Sequence, residues 1–273
     1  MEYRTLPIRY WLKSEFKEGE SYSSPTLSMK SADFKKYYNK LINPFLKSIG
    51  FKCNGFKATL ESDTLHKIVS YDTSKFGGYG QITVAVHPKK LPTKDDYPLD
   101  ASPLIYHYLF SKQLTLPNGN EDFELGWTEE HVTETCSYML AAIKEQAPLF
   151  FNQFSNFPLP FTEVESANFE TKLNFFLENF RMYYDSKGRW TLTLARIHSV
   201  YGNKESAAAM AKYCIDEENS SHNLQPNTRL DKRLILLAEN IINGEELFFT
   251  DKNRKNYEEW WQQIKHLGLL PRA

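Results

Sequence analysis

The sequence predicts an α+β protein: an antiparallel sheet of three to five strands with flanking helices, followed by an all-helical C-terminal bundle. The main observation is a change of hydrophobic rhythm. Apolar residues recur at helical spacing up to Gly50, alternate with period two from Phe51 to Val86, and return to helical spacing after Trp127. Apolar residues make up 41% of the chain and charged residues 25%, the usage of a chain that can bury a sizeable core. At 273 residues two parts are expected, because single cores stop growing near ~250–300 residues. The predicted parts are an arm or linker over 1–30, an α+β domain over 31–156 and a helical domain over 162–273.

Within the arm, Ile8, Tyr10 and Leu12 alternate as in a short edge strand, and Ser21 to Pro25 mark a linker. The first helix is predicted from Ser31 as N-cap, with Asp33 in its first turn and a stripe of Phe34, Tyr37, Tyr38, Leu41, Ile42, Phe45, Leu46 and Ile49. Pro44 should kink it and Gly50 should end it. Strands follow around Phe51–Cys53, Phe56–Leu60, Leu65–Tyr71 and Ile82–Val86, with a turn or bulge at Asn54-Gly55 and a loop at Gly77–Gly80. A further strand is expected with Leu104, Tyr106, Tyr108 and Phe110 on one face, although that stretch also fits a helix. Thr128 should cap a helix that Pro148 ends. Beyond Thr162 the spacing predicts only helices: one on Phe169–Tyr184, two short ones around Gly202-Asn203, one from Thr228 to Gly244, and a last one carrying Tyr257, Trp260, Trp261 and Ile264.

The run from Phe45 to Lys52, continuing through Ile68–Lys75 to Ile82–Val86, resembles the domain of unknown function (DUF) 4304 family over roughly 31–156. The likeness lies in a Leu-Lys-x-x-Gly-Phe-Lys phrase at a helix end, a Ser-Lys pair closing a strand, and a later helix after Trp127. It departs from that pattern at Asp72-Thr73, where a Gln is expected. The resemblance implies a fold and no catalytic residue. Separately, Ala195–Ile215, with Tyr201, Gly202 and Ala207, looks like one tetratricopeptide-type helical hairpin.

Composition narrows the functional classes. The first residues lead into no uninterrupted apolar run, and no stretch approaches a membrane span, so a cytoplasmic protein without membrane association is expected. Cys53, Cys136 and Cys214 are an odd, scattered set, read as small buried hydrophobes. Seven histidines stand singly without metal-ligand spacing, no nucleophile elbow is present, and no cofactor fingerprint occurs; no metal, cofactor or catalytic residue is assigned. Charge is segregated: 15 basic against 8 acidic residues in 1–90, 5 against 15 in 91–185, and 13 against 11 in 186–273. The segments either pair in the fold or form opposed surface patches.

The leading expectation is a non-enzymatic module that binds a protein partner, with the sheet as recognition face and the helices as scaffold. Its candidate residues are His66, Asp72 and His87 on the sheet, with Trp260 and Trp261 on the last helix as anchor or hot spot. A second reading is a hydrolase or nucleotide-handling enzyme using His66, Asp72 and His87 on an open sheet face. A third is nucleic-acid binding through Lys35, Lys36, Lys40, Lys47 and Lys52. A solvated helix face is the alternative account of those lysines.

Overall fold

The computed structural model describes residues 30–75, 78–99, 104–126, 128–180, 186–224, 232–245 and 247–248, with the backbone alone for 221–224. Over these residues the chain forms a six-stranded antiparallel sheet and seven α-helices, as the α+β reading expects. The first apolar stripe makes two helices, α1 (Ser31–Leu41) and α2 (Asn43–Ser48). The break falls at Ile42 because Pro44, which has no N–H to donate, is accommodated in the first turn of a restarted helix. Phe34, Tyr38, Ile42 and Leu46 stay buried across that break, so one face still packs. Ser31 is the first helical residue and not the cap; Lys30 holds the cap position without a side-chain bond.

The strands are β1 (Lys52–Asn54), β2 (Lys57–Glu61), β3 (Leu65–Thr73), β4 (Tyr79–Pro88), β5 (Phe110–Gln113) and β6 (Asp122–Glu124). Their order is β1-β2-β3-β4-β5, and β6 also pairs with β4. Along β4 the two outer partners share the edge: β6 takes Tyr79–Gln81 and β5 takes Thr83–Val86. An excursion over 114–121 connects them. The strand expected from Leu104 is corrected. Ile105–His107 is a 3-10 turn and pairing starts at Phe110. The apparent alternation misleads because Tyr108 packs with Ile68 and Ala85 on one face of the sheet, whereas Phe110 packs on the other.

Leu65, Val69, Tyr71, Ile82, Val84 and Val86 form the inner face, against α1 and α3 (Glu129–Asn152). Thr128 caps α3, its hydroxyl accepting from His131 N–H at 3.2 Å. Pro148 does not end that helix; burial of Ala147 and Phe150 on either side of it carries the helix on to Asn152. The helical part contains α4 (Phe169–Asn179), α5 (Lys187–Tyr201), α6 (Lys204–Leu224) and α7 (Lys232–Ile242). Among the described residues no strand follows Thr162. Helices α5 and α6 are longer than the two short helices expected: Ser186 caps α5, with Gly188 in its first turn, and Asn203 Oδ1 accepts from Ser206 N–H at 2.7 Å at the start of α6. One apolar cluster runs from Phe34 to Ile241. At its joint the Phe110 ring lies 4.9 Å from Phe161, 5.3 Å from Phe154, 5.5 Å from Phe180 and 6.1 Å from Trp190.

Candidate functional site

With the inner face committed to the core, strand alternation places Lys57, Thr59 and Glu61, then His66, Ile68, Ser70 and Asp72, then Gln81, Thr83, Ala85 and His87 on the outer face. This face divides into two ends. At one, residues following β4 cover it: Ile68, Ala85 and Tyr108 are buried with Ile105 packed against them. His66 and His87 are direct cross-strand partners there. His87 is fully buried, its Nε2 donates to the Leu91 carbonyl at 3.0 Å, and its Nδ1 has no hydrogen-bond partner. Burial pushes the His87 imidazole down to about 4, with the Leu91 carbonyl opposing and His66 and His107 adding to the shift. His66 is half-buried beside Glu61, its Nδ1 3.8 Å from the carboxylate.

At the other end the outer face is concave. A cleft of about 400 Å³ opens between Lys35, Asn54, Phe56, Lys57, Ser70, Asp72 and the lip Leu104–Tyr106. The Asn54–Gly55 turn, with Gly55 at φ +62, forms one end, and Lys35 lies over that glycine. On the floor Lys57 faces Ser70 across the strands, and Ser70 Oγ donates to Asp72 Oδ1 at 3.3 Å. Desolvation raises the Asp72 carboxyl above its ordinary value, while the Ser70 hydroxyl and the Lys57 ammonium oppose it. Desolvation likewise lowers the Lys57 ammonium, opposed by Asp72. Leu104 and Tyr106 leave 48% and 49% of their surface exposed, so the lip is apolar and open to solvent. Next to Asp72, Gln81 donates to Asp122 Oδ1 at 3.0 Å and accepts from Gln113, extending a polar ladder across the sheet.

Of the sequence-derived sheet residues, His66 and His87 meet and Asp72 stands apart from them. Asp72 lies six residues along β3 from His66, about 20 Å at roughly 3.3 Å per residue. It belongs to the cleft, whereas His66 and His87 belong to the covered end. Trp260 and Trp261 lie outside the described residues. Within the cleft Ser70 has a carboxylate neighbour, and no imidazole is among the lining residues. Among the described residues no group of three or more His, Cys, Asp or Glu could hold a metal ion, and no helix is long and apolar enough to cross a membrane.

Sequence reading missed Lys57, Ser70 and Tyr106. The first two carry the outward parity of strands whose inner faces were legible, so register was the missing information. Sequence reading gave no sign of the role of Asp96. It is fully buried among Arg189, Arg196 and Arg233, at 3.1, 2.8 and 2.8 Å. Burial works against its charged form, but the three guanidiniums outweigh burial and hold the carboxyl below its usual range.

No family model matches the chain, and no curated protein or solved structure shows significant similarity to it. The resemblances to the DUF 4304 family and to a tetratricopeptide hairpin are thereby corrected. The phrase around Gly50 is a helix end leading into a strand, and α5–α6 is a packed helical pair; many α+β and helical chains reach such solutions. Fold and site together define an α+β protein with a mixed-charge cleft on the open end of its sheet.

Proposed function

We propose that the protein is a non-catalytic recognition module that receives an extended segment of a partner protein in this cleft. The expected segment carries an acidic side chain beside an apolar one. The carrying observation is the concavity itself: at the Asn54–Asp72 end the sheet is open, and a lip with an exposed aromatic ring stands over a polar floor. Lys35 and Lys57 outnumber the single carboxylate Asp72, which favours an anionic group, and Leu104, Ile105 and Tyr106 offer an apolar contact. The lysines of α1 and α2 support nucleic-acid binding less well, because of the aromatic side chains near them Phe51 is buried and Tyr37 is half-buried against the core, which leaves little stacking surface.

Amide NMR spectra recorded against acidic, neutral and basic extended peptides test this reading. Acidic peptides should shift the amides of Lys57, Ser70, Asp72 and Thr73 selectively, and Lys57→Glu should abolish the response. If no peptide class moves these amides, or if an oligonucleotide moves those of Lys36, Lys40 and Lys47 instead, the reading is wrong.

A further inference from the structure

The cleft's lip is tied to the helical part by a short series of direct contacts. In the turn after β4, Thr93 and Tyr97 close on each other: Thr93 N–H donates to the Tyr97 carbonyl at 2.7 Å and Tyr97 N–H donates to Thr93 Oγ1 at 3.2 Å. Asp96, within this turn, has φ +70, a conformation uncommon for a residue with a side chain. Its carboxylate accepts from Arg189 and Arg196 of α5, and Arg233 of α7 lies against its second oxygen. Arg233 also stacks over the Tyr97 ring at 5.6 Å and donates to the Asp95 carbonyl. The turn is thus gripped from two helices at once.

Lys94 carries the grip to the lip. Its carbonyl accepts from Arg189 Nη1 at 3.3 Å, the same guanidinium nitrogen that holds Asp96. Its N–H donates to the His107 carbonyl at 3.3 Å, and its ammonium sits 5.3 Å from the centroid of the Tyr106 ring. Tyr106 in turn packs edge-on against the His107 ring at 4.6 Å. From α5 to the cleft wall there are only two steps, Arg189 to Lys94 and Lys94 to Tyr106.

We infer that Arg189 and Asp96 are positioning residues for the cleft: through Lys94 they set where the Tyr106 lip stands over Ser70 and Asp72. The effect on affinity rests on the recognition role proposed above; the link between clamp and lip does not. A buried clamp beneath an exposed lip separates the two duties, fixing the base while the rim adapts to what it covers. Because equilibrium coupling is reciprocal, a segment that lifts Tyr106 also loosens Lys94 from α5.

The test places 3-fluorotyrosine at position 106 and follows its 19F resonance in the full chain. Arg189→Gln leaves Arg196 and Arg233 on Asp96, so the fold should persist, which the amide spectrum of α3 checks. The 106 resonance should shift or broaden in Arg189→Gln and in Lys94→Gln, and the double variant should move it no further than the larger single change. Affinity for the acidic peptide should fall about fivefold in each. An unchanged 106 resonance in folded Arg189→Gln, or strictly additive shifts in the double variant, overturns the inference. If the resonance responds while no peptide class binds, the recognition reading fails and the clamp–lip link stands.

Discussion

Between pH 6.5 and about 4 the unfolded chain takes up a proton at position 87 that the folded chain resists, because the His87 ring is wholly buried and desolvation dominates its shift. A depressed imidazole makes the unfolded state the better proton binder in that window. Stability should be highest above pH 6.5 and should fall by up to roughly 3 kcal/mol as the pH drops towards 4. Urea unfolding across that range checks this, and His87→Gln, which keeps a donor for Leu91, should flatten the part of the slope due to this residue. Gly80 makes a second case at the same scale. It lies inside β4, opposite Thr73, where a Cβ would come within 2.6 Å of both the Asp72 carbonyl and the Tyr71 ring. The bare backbone lets the Tyr71 hydroxyl reach the Phe123 carbonyl at 3.2 Å. Gly80→Ala should cost about 1–3 kcal/mol in chemical denaturation. In the sequence Gly80 read as part of a glycine loop, since nothing local announces that a ring from the neighbouring strand needs its space.

At the scale of elements, legibility followed periodicity. Ile82, Val84 and Val86 alternate cleanly and form the inner face of β4, and Leu65, Val69 and Tyr71 do the same in β3. Thr128 was recognisable as a cap because its chemistry is local: a hydroxyl, then two acidic residues in the first turn. Thr128→Ala should therefore cost about 1 kcal/mol, read as a lowered urea midpoint with unchanged slope. Elements set by tertiary packing were the ones misread. Local preference stops α3 at Pro148, but the aromatic side chains beyond it gain enough by burial to continue the helix. The stretch before β5 failed for a related reason, since Tyr108 and Phe110 share a spacing but serve opposite faces. The cleft was only half legible: Asp72 was visible as a polar residue on an outward parity, whereas Tyr106 comes from a turn whose course depends on Asp96.

For the whole molecule, charge segregation resolves in part as pairing between distant segments. Asp96, from the acidic middle third, is met by three arginines of the last third. Breaking a buried pair by removing its charge leaves the partners uncompensated. Asp96→Asn, chosen because Asn tolerates a positive φ, should lose about 3–5 kcal/mol in urea denaturation. The aromatic joint around Phe110 argues that sheet and helices melt together. The unsubstituted protein should melt in a single calorimetric transition that Phe110→Ala lowers, and two transitions in the unsubstituted protein would show that the joint does not couple the parts. The way β4 shares its outer side between two partners has a practical corollary. The intervening excursion reverses at Pro117–Asn120, where Gly119, at φ +81, has open space around it. An epitope or fluorescent insert placed at that tip would leave both hydrogen-bonded ladders in register, giving a tether point for imaging or immobilisation built from none of the residues that line the cleft.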